Sequence, residues 1–298
     1  MTKLADPRND VAFKKIFSED NIEGIKDFAE SIISNAVEFP FSTKLVSIEF
    51  LHKDQMPSLL KGKKSLCDLK VKDDKNNIYI IEMQKRNEED YLQRIQYYAS
   101  HAITDQLEQG TDHTELNPVI TISIMGRKCF NDDIPCISYH PFKETTTGKQ
   151  LLLTQSHIFI ELPKLENSGL TGSTLEWLEM FKEAAHLDSI PQVKNKNVLQ
   201  AYRKLEQHNW SPEEKEAYIA SKIDDDMEKS NLKHAEDKGR DEGREEGEQK
   251  KALEIARNLL ESGLSVDLVI KTTSLSEKEV KNLEAKISDA DQNTPVER

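Results

Sequence analysis

Cysteine is scarce here: Cys67, Cys129 and Cys136 are the only three in 298 residues. An odd number with no zinc-type spacing excludes a disulfide framework and a structural zinc site, and points to reduced thiols. No run of 18 apolar residues occurs, so no helix is expected to cross a membrane. The opening stretch MTKLADPRND has no apolar core of the kind a signal peptide needs, and a cytoplasmic protein is expected. Positive charge is also in deficit: 41 Lys and Arg face 54 Asp and Glu, for a net charge of −13. Neither half is basic, with 20 cations against 25 anions in residues 1–163 and 21 against 29 beyond. A broad phosphate-binding face is therefore not expected, and only local cationic patches remain. Apolar residues make up 36% and charged residues 32%, which suggests a packed part and a solvated part.

What the chain does have is a hairpin signal in Ser65 to Arg86, SLCDLKVKDDKNNIYIIEMQKR. Two apolar-alternating runs, Leu66–Val71 and Ile78–Gln84, flank the turn residues Asp73-Asp74-Lys75-Asn76-Asn77. A turn centred near Lys75 pairs residues whose numbers sum to about 150, which sets Asp68 opposite Glu82. Two like charges facing each other cost stability, unless a cation turns that cost into a binding site. Ile78, Ile80, Glu82 and Gln84 share one face of the second strand, with Tyr79, Ile81 and Met83 on the other. Lys61, Lys63 and Lys64 before the hairpin, and Lys85 and Arg86 after it, bracket the acids with positive charge.

Around the hairpin, residues 7–18 are predicted to form a first helix, with Phe13, Ile16 and Phe17 as its apolar face, and residues 22–38 a second. A strand is expected over 45–50 and a long amphipathic helix over 88–107, where Gln93, Arg94 and Tyr97 can look back to the open end of the hairpin. Arg94 could grip a phosphate bidentately. VITISIM, residues 119–125, is a nearly continuous β-branched run and predicts a strand buried on both faces. Further strands are expected over 137–142 and 157–162; His113, His140 and His157 lack ligand spacing and are taken as structural. A strand, a helix and then a buried strand make the crossover of a mixed α/β sheet, and residues 1–163 are taken as one domain.

Beyond the Pro/Ser/Gly connector at 163–172 the chain is predicted to be all helical. Residues 174–249 hold a face of Trp177, Leu178, Phe181 and Ala184, expected to pack on the first domain, and then a long charged helix from Pro212 carrying Gly239, Gly243 and Gly247. Residues 250–287 read as a small bundle of helix-turn-helix type. Glu277, Glu279 and Glu284 crowd its last helix, which favours oligomerisation or a protein contact over reading DNA. Residues 288–298 are expected to be a disordered tail.

Three blocks in order carry a resemblance: Asn9-Asp10-Val11-Ala12-Phe13-Lys14-Lys15-Ile16-Phe17, then Asp68 with Glu82-x-Gln84, then Gln93-Arg94-Ile95-Gln96-Tyr97-Tyr98. Over roughly residues 6–270 the chain resembles the Rpn family of recombination-promoting nucleases and transposase-like proteins. That family lies in the PD-(D/E)XK nuclease superfamily, here in a Glu-x-Gln variant. The resemblance implies a mixed sheet flanked by helices and a Mg²⁺-dependent DNA endonuclease acting in recombination or in a mobile element. Asp68, Glu82 and the Met83 carbonyl would hold the metal, and Asp10 would complete the site from the first helix. Lys64, Arg86, Arg94 and Tyr97 would contact DNA. Gln84 stands where the superfamily usually has lysine; it is no base, but it can orient water or hydrogen-bond a phosphate. The acidic charge and Gln84 also suit a different reading, a weak or inactive nuclease fold kept as a protein-binding module.

Overall fold

Alternation and β-branching become strands largely where they are expected. The computed structural model describes residues 4–50, 69–85, 90–107 and 116–292, leaving aside the side chains of 228 and 288–292. It divides into two compact units, Met1–Ile223 and Asp224–Arg298.

The first unit is built on a six-stranded mixed sheet. Its strands are β1 (Ile48–Phe50), β2 (Leu69–Asp73), β3 (Ile78–Gln84), β4 (Val119–Met125), β5 (Ile137–Phe142) and β6 (Leu152–Glu161), in the order β1-β2-β3-β4-β6-β5. β3, β4 and β6 run parallel at the centre, and the outer pairings are antiparallel. All seven residues of β4 are buried, as its unbroken apolar run requires. β6 starts at Leu152, five residues before the expected point. Its first three residues, Leu152, Leu153 and Thr154, are exposed and show no apolar/polar alternation, yet Leu152 pairs with Phe142 across an irregularity at Pro141/Phe142.

The turn joining β2 to β3 is organised by Asp73, which is buried. Its Oδ1 accepts from the backbone N–H of Lys75 (2.9 Å) and Asn77 (2.8 Å), and its Oδ2 from Asn77 Nδ2 (2.8 Å) and the Tyr79 hydroxyl (3.2 Å). Asn76 takes the left-handed conformation at φ +62°, a role asparagine fills with little strain. The described pairs run from Leu69↔Ile81 to Lys72↔Ile78, so the residue numbers sum to 150 as expected.

Helices cover both faces of the sheet. α1 (Asp10–Ile16) begins later than expected because the Asn9 side chain caps it, accepting from Val11 N–H at 3.0 Å. α2 (Ile22–Ile33) ends five residues before the expected 38, where Ser34 and Asn35 bond back to the carbonyls of Glu30 and Ser31. Phe13, Phe17 and Phe28 from this region cluster with Trp177 and Phe181 of α4 (Gly172–Glu183), with ring centroids 5.0–6.4 Å apart. α5 (Lys196–Lys204) adds Val198, Ala201 and Tyr202 to the same core. α4 and α5 thus belong to the first compact unit, which extends to Ile223. The opposite face is covered by α3 (Tyr91–Thr104), whose small Ala99 and Ala102 sit against Ile78, Ile80 and Val119.

The division between the units falls within α6 (Pro212–Glu261), a single helix of 50 residues. It continues past the expected end near 249, and Gly263 at φ +82° follows its last turn. In the second unit Ala256 of α6 packs with Val269 of α7 (Val266–Thr273), with Leu275, and with Val280 of α8 (Glu277–Gln292). α8 reaches into the stretch expected to be tail from 288.

Gly239, Gly243 and Gly247 lie inside α6, and a Cβ added at any of them meets nothing within 4 Å. Replacing all three by alanine should therefore stabilise the helix by about 1 kcal/mol per site, because alanine restricts the unfolded backbone. Circular dichroism should show more helix and a later melt. A loss of helix would show that the glycines serve a close contact.

Candidate functional site

Strand periodicity fixes what faces what. Ile78, Ile80, Glu82 and Gln84 form one face of β3. The two isoleucines pack under α3, while Tyr79 and Ile81 join the core shared with α1, α2 and α4. Glu82 and Gln84 are both buried, 7% and 5% exposed, at the end of β3. A glutamate is seldom this buried, which marks it as a candidate for function. β4 runs parallel beside it in the register Glu82↔Ser123 and Gln84↔Met125.

α3 supplies the polar surroundings. The Tyr91 hydroxyl and Ser123 Oγ are 2.7 Å apart, tying the first turn of the helix to the neighbour of Glu82. The Arg94 guanidinium lies over the Tyr91 ring, 5.3 Å from its centroid, and its Nη2 donates to Gln84 Oε1 at 3.1 Å. Tyr91 is fully buried, and only its hydroxyl makes it more than an apolar helix residue. Neither Tyr91 nor Ser123 carries a distinguishing sequence signal.

The same end of this strand is held from the opposite face. Lys85 pairs with Asp6 at 3.1 Å, and Asp6 also accepts from Arg8 Nε at 2.9 Å. Burial alone would raise the Asp6 carboxyl. The hydrogen bond and charge of Arg8, together with Lys85, outweigh it and hold Asp6 below its usual range. Lys85 thus faces away from Glu82, as alternation demands. Gly126, just past β4, donates to the Gln84 carbonyl at 2.8 Å, and a Cβ there would lie 3.2 Å from the Lys85 carbonyl oxygen. Glycine is what lets the end of β4 come this close.

The remaining candidates are scattered. Asp68, Lys64 and Arg86 lie outside the described residues. Asp10 is exposed and pairs with Lys14 at 2.5 Å, on a helix whose buried side belongs to the other core. Met83 points its side chain toward that core and offers only its carbonyl to a cation. Tyr97 is 45% exposed, edge-on to His101 at 4.3 Å, and is not part of the Gln84–Arg94 contact. Lys70 and Lys72 were not singled out by sequence, yet they share the face of Ile78 and Ile80 across β2. They line a cavity of about 580 Å³ with Asp105, Gln106 and Asn117. Their spacing of two and four residues from Asp68 was the available signal.

Among the described residues no group of three or more His, Cys, Asp and Glu is placed to hold a metal. The donors that are described, the Glu82 carboxylate and the Met83 carbonyl, are hard oxygens that suit a Mg²⁺-type cation. The histidines of the sheet take part in polar contacts instead. His157 Nδ1 lies 2.7 Å from Thr121 Oγ1 and His140 Nε2 lies 2.9 Å from Ser138 Oγ. Burial, aided by His140, pushes His157 down to about 4, so it is neutral at neutral pH.

A mixed sheet with a helical crossover from β3 to β4, and a buried Glu-x-Gln at the end of β3, is the architecture of a PD-(D/E)XK nuclease-type fold. The chain belongs to the PD-(D/E)XK nuclease family of transposases, whose model matches residues 7–235. Residues 249–285 match the C-terminal HTH domain of the Rpn/YhgA-like nuclease family, which gives the three helices of the second unit their class. No curated protein and no solved structure matches the chain.

Proposed function

We propose that this chain is a Mg²⁺-dependent DNA endonuclease that hydrolyses phosphodiester bonds within a mobile element or a recombination system. The observation that carries this reading is Glu82, a carboxylate buried at the end of the central hairpin beside Gln84. Asp68, the residue before the first described pair of that hairpin, is proposed as the second carboxylate, with the Met83 carbonyl as a third ligand. Asp10 would join only by exchanging Lys14 for the cation. The bound cation would supply charge stabilisation and a more acidic water. The chain's own part is to hold Glu82 on β3 and to place Gln84 against the substrate. Tyr97 on α3, and Lys64 and Arg86 flanking the hairpin, are the proposed DNA contacts, whereas Arg94 is turned to Gln84 and approaches the substrate through it.

The HTH class of the second unit supports DNA as the substrate, against the expectation drawn from Glu277, Glu279 and Glu284. In a chain of net −13, the HTH segment 249–285 has six Lys and Arg against six Asp and Glu, so it is neutral and meets phosphates without net repulsion. Self-association through the helical C-terminal region is also proposed. The competing reading, a nuclease fold kept as a protein-binding module, draws on the same acidity and on a neutral residue at 84. Supercoiled plasmid incubated with the full chain separates the two. Nicking with Mg²⁺ that stops with EDTA is expected of the nuclease. An intact plasmid across a range of divalent metals favours the binding module.

A further inference from the structure

We propose that Arg94 is a positioning residue that locks the Gln84 amide so that its nitrogen, not its oxygen, serves the reacting phosphodiester. The identity of the acceptor rests on the nuclease reading above; the lock itself rests on geometry alone. A guanidinium has five N–H donors and no acceptor, so the end of the Gln84 amide that faces it must be the oxygen. Arg94 Nη2 lies 3.1 Å from Gln84 Oε1, which commits the carbonyl end of the amide to the helix. The amide is planar, and its nitrogen is therefore turned away from the guanidinium. Gln84 is 5% exposed, so there is little room for the side chain to swing into another rotamer.

The lock is itself held. Arg94 lies over the Tyr91 ring, and the Tyr91 hydroxyl is tied to Ser123, the register partner of Glu82. One run of contacts therefore links the orientation of Gln84 to the strand beside the acidic residue. The consequence is chemical. An amide free to flip could either accept from a water or donate to a phosphoryl oxygen, and it would select neither. With its oxygen taken by Arg94, Gln84 is a donor toward the substrate, and a non-bridging phosphate oxygen is an acceptor of the matching kind. It takes no proton at any step. Arg94 acts on the reaction through Gln84 rather than by gripping a phosphate.

A double-mutant cycle tests this on the full chain, with Mg²⁺-dependent plasmid nicking as the readout. Gln84→Glu keeps the partner of Arg94 but offers only acceptors, and should lower kcat about 100-fold, the usual cost of one lost transition-state donor. Arg94→Ala should lower kcat in the wild-type background and cost nothing further in Gln84→Ala, with Arg94→Lys recovering part of the loss. The salt dependence of KM should be unchanged in Arg94→Ala, because a lost phosphate contact would lower the slope by about one. Equal losses in both backgrounds, or a reduced salt slope, would show direct phosphate binding by Arg94 and overturn the proposal. So would Gln84→Glu that cuts as fast as wild type.

A second readout does not need activity. With glutamine-selective ¹⁵N labelling, the Gln84 side-chain NH₂ signal, identified by its loss in Gln84→Met, should show two well-separated protons that collapse toward free-amide positions in Arg94→Ala. An unchanged signal removes the lock. A changed signal in a chain that cuts no plasmid leaves the lock standing and removes only the nuclease reading.

Discussion

Glu82→Gln is expected to abolish metal-dependent plasmid nicking, with a loss of about 1000-fold or more, about 4 kcal/mol of transition-state stabilisation. The substitution preserves shape and burial and removes only the charge, so the strand should keep its place against β4. A neutral amide is a poor ligand for a hard dication. Thermal melting gives an independent measure. Mg²⁺ or Ca²⁺ should raise the midpoint of the wild type by mass action and leave Glu82→Gln where it was. Nicking that survives Glu82→Gln would remove this residue from the chemistry.

Trp177→Ala is expected to destabilise the first unit by about 3–5 kcal/mol, the range for deleting a large buried aromatic. Trp177 is fully buried and touches Phe17, Phe28 and Phe181. Its Nε1 also donates to Asp27 Oδ2 at 2.6 Å, where Asn195 Nδ2 donates at 2.7 Å and Ser173 Oγ at 3.2 Å. The variant thus opens a cavity and removes one donor from a carboxylate that joins α2, α4 and the start of α5. Chemical denaturation should show the whole shift at the midpoint. Trp177→Phe, which keeps one six-membered ring but loses the N–H and the volume of the fused ring, should lose less, about 1–2 kcal/mol. A near-neutral Trp177→Ala would mean that α4 contributes little to the stability of this core.

The central strands were legible because their signals are local and unambiguous. Ile78–Gln84, Val119–Met125 and Ile137–Phe142 match the expected bounds residue for residue, and the turn residues set the register. Helix ends were less so. The start of α1 depends on a cap from Asn9, and the end of α2 on side chains of Ser34 and Asn35 that any polar loop could carry. The start of β6 could not be read because Leu152–Thr154, although it holds two leucines, is exposed and does not alternate, so only its pairing makes it a strand. Within the candidate site, Glu82 and Gln84 stood out by their position on an apolar strand. Arg94 stood out only as a helix residue able to look back. Its contact with Gln84 joins residues ten apart across a crossover turn, and no periodicity predicts which atom meets which. Asp10 shows a different limit: the resemblance brings it to the site from the first helix, whereas the fold leaves it exposed and paired with Lys14.

The Asp73 turn also bears on how the chain finds its structure. Joining Asp73 to Asn77 closes a loop of only a few residues, for which the entropy cost is small and closure takes microseconds or less. Most other pairings of the sheet join distant segments, β4 with β6 for example, and must wait for slower searches. The strand that bears Glu82 therefore acquires its first partner from a contact that needs none of the helices, and the order of assembly favours the hairpin before the core that later encloses it.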